Sequence, residues 1–412
     1  MSWLTIPPDT DFTIYNFPLG VFKKDARTQP TICSAFGEYV VDLDALHELG
    51  FFRDFKLPKR FFRKDCINDY IALGKTVTQA IRHRLIDLFS EGKRATNASK
   101  WRYLFLHQMR DVQLLLPLKI GDYTDFYSSK EHATNVGSMF RDPNKALLTN
   151  WLHIPIAYHG RSSSIVVSGT PIPRPSGQRV LKMSEPIPTF GLSQKMDFEL
   201  ETAFVVGSNT QIGETIAAEQ AEDSIFGMVL LNDWSARDLQ QWESQPLGPF
   251  LGKSFATTIS AWVVPMEALT PFRVPSVKQE PAVLPYLETT GWRSYDIELS
   301  VELSSQTFEN HKVAVSNTKH TYWNICQQLA HHTSNGCPIR IGDLMASGTM
   351  SAPTAAGYGS MLELAWNGTK PITLPDGSQR TFLNDGDTVI LRGFAEKNGI
   401  RVGFGTCIGT IK

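Results

Sequence analysis

Phe198-Glu199-Leu200-Glu201 sets two carboxylates two residues apart inside a run, Phe198 to Val206, that otherwise reads as buried strand. Strand side chains alternate between faces, so both acids point the same way. Two anions side by side in apolar surroundings repel each other and lose hydration; they persist there only with a shared proton or a cation between them. A strand-built site for a hard, oxygen-liganded metal ion is the natural answer. The commoner fate of an isolated pair of strand glutamates is a solvated face with lysine partners. The apolar residues on both sides weaken that alternative.

Further acids lie on either side. Asp125 sits beside Phe126 and Tyr127 and is soon followed by His132. Asp233-Trp234-Ser235-Ala236-Arg237-Asp238 follows the apolar strand Met228 to Leu231, so Asp233 falls where a strand end presents a carboxylate. Four acids from three segments suit the oxygen shell of calcium, whereas zinc would want histidine or cysteine. The stretch Pro246 to Ser254 ends in Gly252-Lys253-Ser254 but fails the phosphate-cradling pattern. Only three residues separate its two glycines, and Leu247 stands where the first glycine belongs. Lys253 reads instead as a fixed cation near the acids.

Composition removes several function classes. Forty basic against forty-one acidic side chains leave no long-range field to hold nucleic acid or a membrane surface. No apolar run is long enough to span a bilayer, and the amino terminus lacks a basic region ahead of an apolar core. The five cysteines, Cys33, Cys66, Cys326, Cys337 and Cys407, are odd in number and scattered, without zinc or redox spacing. A soluble, cytoplasmic protein with reduced thiols is expected.

Residues 1–118 read as a small unit of short strands, Thr31-Ile32-Cys33 and Tyr39-Val40-Val41, with one amphipathic helix. Val77, Ala80, Ile81, Arg84, Leu85 and Leu88 carry the helical period, and Gly92 is placed to end it. From residue 119 to 412, strand-like segments between Gly and Pro turns dominate: Ile165 to Val167, Ala203 to Val206, Met228 to Leu231 and Val389 to Leu391. Two helices are expected to interrupt them, at Thr215 to Ser224 and at Tyr322 to Ser334. Pro271 to Pro285, with four prolines, reads as a surface excursion. Taken alone, His132 reads as a solvated loop histidine and Glu363 as a strand-face acid.

The motifs together resemble the fumarylacetoacetase (fumarylacetoacetate hydrolase) family. The matching stretches include Asp125-Phe126-Tyr127, Tyr158-His159-Gly160-Arg161, Asp197 to Glu201, Asn232 to Asp238, Leu247 to Phe255, and Ser347-Gly348-Thr349. The resemblance implies a mainly β (α+β) fold: a small N-terminal β-barrel like that of Src-homology-3 domains, then a larger mixed β-sandwich or roll that carries catalysis. It implies calcium on Asp125, Glu199, Glu201 and Asp233, and a structural magnesium near Asp233, Lys253 and Thr257. It makes His132 the catalytic base, oriented by Glu363, and sets Arg237, Gln240 and Lys253 around a developing oxyanion. Tyr127, Arg141, Tyr158, Gln240 and Thr349 match substrate contacts. The implied reaction is metal-dependent hydrolysis of the carbon–carbon bond of 4-fumarylacetoacetate, a small diketo diacid, to fumarate and acetoacetate, ending tyrosine and phenylalanine catabolism, in a homodimer. Acylpyruvate hydrolysis, β-keto acid decarboxylation and non-catalytic calcium binding stand as alternatives. Ser244 departs from the family pattern, which has tyrosine there, and so removes a phenol contact to substrate. Ala256 and Ala261 replace an expected glycine and proline without touching the chemistry.

Overall fold

The computed structural model describes residues 2–91, 98–180, 184 and 186–412. Gly92, the expected helix stop, lies outside them. The chain is mostly β, as the sequence implies. Its N-terminal part is a half-barrel of five antiparallel strands in the order Leu106–Gln108, Tyr39–Asp42, Thr31–Phe36, Leu19–Lys23 and Gln113–Leu115. The helix Lys75–Phe89 buries Ile81, Leu85, Leu88 and Phe89, which fall at helical spacing on one face.

The larger part is built on a mixed sheet that runs Ala157–Gly160, Tyr123–Phe126, Leu344–Ala346, Leu200–Val206, Ile225–Asp233, Thr257–Ile259 and Ile165–Val167. Only the pairs Leu344–Ala346 with Tyr123–Phe126, and Thr257–Ile259 with Ile165–Val167, are parallel. A second, antiparallel sheet follows, in the order His311–Asn317, Glu298–Ser304, Thr388–Lys397 and Ile400–Thr410.

Alternation explains why the central strands are apolar throughout. Leu200, Phe204 and Val206 point into a core shared with Leu299, Leu391 and Phe404 of the second sheet. Ala203 and Val205, with Val229 and Leu231 beside them, point the other way, into a core completed by Phe17, Leu19, Ile32 and Phe36 of the half-barrel. Both faces are covered, so polar positions are few, and the acids Glu201 and Asp233 fall near strand ends.

The strand with the paired glutamates starts at Leu200; Glu199 makes a single bridge to Ser360. The expected helix at Thr215 to Ser224 is a shorter 3-10 run, Ala218–Ser224. The other, expected from Tyr322, is Ile325–Thr333. It starts late because Asn324 turns its side chain onto the amides of Cys326 and Gln327 as an N-cap. The proline-rich stretch is largely exposed, although Arg273–Val274 pairs with Ser294–Tyr295.

Candidate active site

Strand parity collects the carboxylates. Tyr123, Ala346, Ala203, Val229, Leu231 and Ile259 all enter the core on the half-barrel side. Asp125 lies two residues past Tyr123 and in register with Ala346. Glu201 lies two before Ala203 and Asp233 two after Leu231, so the same face passes from apolar to acidic at one end of the sheet. Neighbouring strands are about 4.8 Å apart. The side chains converge across these strands, so that ligand oxygens from Asp125, Glu199, Glu201 and Asp233 all lie within 4.8 Å of one another, and all four residues are buried.

Two cations are built into the cluster. Lys253 Nζ donates to Glu199 and, at 2.7 Å, to Asp233. Arg237 reaches Glu199 at 2.8 Å while its Nε donates to Asp197 at 2.7 Å. Burial works to raise the Glu199 carboxyl, but Lys253 and Arg237 overcome it and hold the group well below the usual carboxylate range. Asp125 and Glu201 go the other way: burial pushes both up, Asp233 adding to the first and Asp125 to the second. Asp125 Oδ1 and Glu201 Oε1 are buried with no hydrogen-bond partner. Counting Asp197, five carboxylates meet two cations. An all-oxygen set with an anionic excess and two vacant acceptors fits a hard divalent cation.

Beside the cluster is an acid–base pair. His132 Nδ1 lies 2.7 Å from Glu363 Oε2. Glu363 is fully enclosed and also accepts from Asn135 Nδ2 at 2.8 Å, Ser351 Oγ at 2.9 Å and Ser360 Oγ at 2.9 Å. Burial alone would raise its carboxyl; His132 and these donors take it below the ordinary glutamate value. A cavity of about 490 Å3 opens onto Asp125, Glu199, Glu201, His132, Arg237 and Lys253. A larger cleft of about 750 Å3 lies between the half-barrel and the second sheet, around Asp11, Trp262 and Arg401. Its Asp11 is already paired with Arg401 at 3.1 Å, and it contains none of the clustered acids.

The remaining expected residues divide. Tyr127, Tyr158, Gln240, Ser244 and Thr349 line the smaller cavity. Tyr158 donates to Asp233 at 2.7 Å, the Tyr127 ring meets His132 edge-on at 5.4 Å, and Thr349 Oγ1 is buried and unpartnered. Gln240 Oε1 accepts from Arg237 at 3.1 Å, which leaves its NH2 to donate elsewhere. Thr257 Oγ1 donates to Asp233 at 3.1 Å. Arg141 is off the wall: it is exposed, and its guanidinium is held by the Ala146 carbonyl at 2.9 and 3.2 Å. Lys253 is no ligand through Nζ, because Asp233 and Glu199 keep it an ammonium against the cost of burial, and an ammonium has no lone pair to give a metal.

The isolated readings of His132 and Glu363 fail here. His132 is buried on the helix Lys130–Phe140, where Ser129 Oγ accepts its backbone N–H at 3.2 Å. Glu363 is on a helical turn, Met361–Leu364, capped by Ser360. The signal was present: Ser360-Met361-Leu362-Glu363 has the S-x-x-E spacing of a capping box. Asp197, Asn135 and Ser351 also escaped sequence reasoning. Of these, Asp197 alone had a cue, lying two residues before Glu199 on the same strand parity.

A mostly β protein whose central sheet presents an all-oxygen acidic cluster beside a buried histidine–glutamate pair has the parts of a metal-dependent hydrolase. Residues 122–412 match the model of the fumarylacetoacetate hydrolase C-terminal domain, and residues 15–117 that of the fumarylacetoacetase N-terminal domain. The chain therefore belongs to the fumarylacetoacetate hydrolase family. It is 48% identical to a fumarylacetoacetase of Dictyostelium discoideum, over 100% of this chain and 97% of that one. It is likewise 48% identical to a fumarylacetoacetase of Homo sapiens, over 100% of this chain and 98% of that one. A solved fumarylacetoacetate hydrolase from psychrophilic Exiguobacterium antarcticum shares the fold, with a TM-score of 0.53 at 17% identity over 96% of this chain and 99% of the other.

Proposed function

We propose that this chain hydrolyses the carbon–carbon bond of 4-fumarylacetoacetate to fumarate and acetoacetate, the closing reaction of tyrosine and phenylalanine catabolism. The observation that carries the reading is the buried His132–Glu363 pair opening on the same cavity as Asp125, Glu199 and Glu201. A site that only bound an ion would need no base.

Calcium is the cation we assign to Asp125, Glu199, Glu201 and Asp233. When bound, it supplies polarisation of a substrate carbonyl and countercharge for a departing enolate. A structural magnesium is assigned near Asp233, Lys253 and Thr257. The chain's own groups do the rest. Glu363 accepts from His132 Nδ1–H, which leaves Nε2 to take a proton from the attacking water. Arg237, Gln240 and Lys253 face the oxyanion formed at that carbonyl, each such donor contributing on the order of 3 kcal/mol to lowering the barrier. His132 then returns the proton to the carbon released as the bond breaks. Tyr127, Tyr158, Gln240 and Thr349 orient the substrate and its carboxylates; Arg141 joins them only by releasing the Ala146 carbonyl.

We further propose a cytoplasmic homodimer; the five free cysteines agree with a reducing compartment. No described helix is long and apolar enough to cross a membrane. The division at residues 118 and 119 is kept as a division of roles, the half-barrel covering the sheet face that ends in the acids. The deciding assay is loss of the conjugated-diketone absorbance of 4-fumarylacetoacetate, with fumarate and acetoacetate recovered in equal amounts. Pyruvate as a product would move the chain to the acylpyruvate hydrolases, and carbon dioxide to the β-keto acid decarboxylases.

A further inference from the structure

Asp197 is neither one of the four clustered acids nor itself part of the cavity lining, yet both halves of the site are fastened to it. Its Oδ2 accepts from Arg237 Nε at 2.7 Å and from the Leu362 amide at 3.0 Å. Its Oδ1 accepts from the Met361 amide at 2.7 Å. The first contact fixes the arm that reaches Glu199; the other two hold the first amides of the turn that carries Glu363. Asp197 is fully buried. Burial raises its carboxyl, with Arg237 opposing.

All three partners are donors, and this makes the carboxylate specific. An amide of the same shape has one oxygen, so it can serve Arg237 and Leu362 or Met361, and it turns its own NH2 against an N–H at the other end. The turn has separate attachments as well. Glu199 bridges Ser360, and the Leu200 amide donates to the Gly359 carbonyl at 2.8 Å. The segment from Met196 to Glu201 therefore carries two metal-cluster acids, the Arg237 tether and the Glu363 turn along one short stretch. Loss of the Asp197 bonds leaves the turn attached but free to shift.

We infer that Asp197 is a positioning residue that sets the alignment of the Arg237 arm relative to the His132–Glu363 base. The inference rests on the hydrolytic reading above, and turnover of 4-fumarylacetoacetate by the wild-type protein checks that reading first. If the wild type releases no fumarate, the functional reading fails, whatever Asp197 does. Given wild-type activity, Asp197→Asn is expected to lower kcat about 10- to 100-fold, the scale of a small misplacement of catalytic groups. KM and the calcium affinity read by calorimetry should stay within about threefold, since the four clustered carboxylates and the side chains lining the cavity are themselves unchanged.

The decisive readout is a double-mutant cycle. In a Glu363→Gln background, and separately in an Arg237→Lys background, Asp197→Asn should cost several-fold less than it costs the wild type, because the group it positions is already impaired. Losses that multiply independently in both backgrounds would overturn the inference, as would a weakened calcium affinity accompanying the fall in kcat. If Asp197→Asn does not fold, the same cycle is run with Asp197→Glu, which keeps the charge and displaces it by one methylene.

Discussion

At the scale of single residues, the cluster makes a demand whose sign reverses with metal. Glu201 brings a buried, unpartnered oxygen and a carboxyl that burial and Asp125 push up. Its other oxygen accepts from the Gly348 amide at 3.1 Å, and a glutamine keeps that bond. Glu201→Gln therefore removes repulsion without removing support. In metal-free protein it should stabilise by about 1–2 kcal/mol, a rise of a few degrees in Tm. With saturating calcium the order inverts, because the wild type gains more from binding. Calorimetric melts in chelator and in calcium check both halves; a variant less stable in chelator would remove the crowding argument. At Ser244, which ends the helix Arg237–Glu243 and lines the cavity, Ser244→Tyr should lower KM several-fold with little change in kcat. An unchanged KM in steady-state assays would mean that another group has taken the role.

At the scale of elements, the helix Lys130–Phe140 and the turn Met361–Leu364 exist to bring His132 and Glu363 together. Gly137 lets the helix approach the chain at Ala146, where a Cβ would come within 2.0 Å of the carbonyl oxygen. Gly137→Ala should therefore push the helix outward and reduce kcat at least tenfold while leaving calcium binding in place, checked by activity and calorimetry side by side. Glu363 gives the pH dependence. Its folded pKa is depressed below the ordinary value of about 4.3, so its contribution to stability is present above that value and is lost as pH falls through the folded pKa. The Tm advantage of the wild type over Glu363→Gln should therefore shrink steadily below about pH 4.3. Elements of this kind were the least legible from residues alone. The Glu199–Glu201 alternation and the strand ending at Asp233 were readable because a period of two survives in the sequence as a pattern of types. The Lys130–Phe140 helix was not: His132, Asn135 and Gly137 interrupt its apolar period, and each makes a tertiary contact. The burial of Glu363 depends on Ser351 and Asn135, remote in sequence, so no local pattern could announce it.

At the scale of the whole molecule, the half-barrel and the acidic cluster share one sheet face. Phe17, Leu19, Ile32 and Phe36 cover the apolar rows formed by Tyr123, Ala203, Val205, Val229, Leu231 and Ile259. Those rows become Asp125, Glu201 and Asp233 within two residues. A continuous apolar run from Ala203 to Val206 signals burial on both faces, but not which segment supplies each cover. Without the half-barrel, the sheet would expose a contiguous apolar patch directly beside clustered anions. The hydrophobic term then opposes keeping that face open, and the cluster loses the low-dielectric wall that holds its carboxylates at fixed spacing. A fragment of residues 119–412 should therefore be insoluble or molten and bind calcium at least tenfold more weakly than the full chain. Adding residues 1–118 in trans during refolding should restore both the near-ultraviolet circular dichroism and the calcium affinity. A soluble, cooperatively melting 119–412 fragment with full calcium affinity would show instead that the half-barrel is a separable attachment, and that the acids are positioned by the central and second sheets alone.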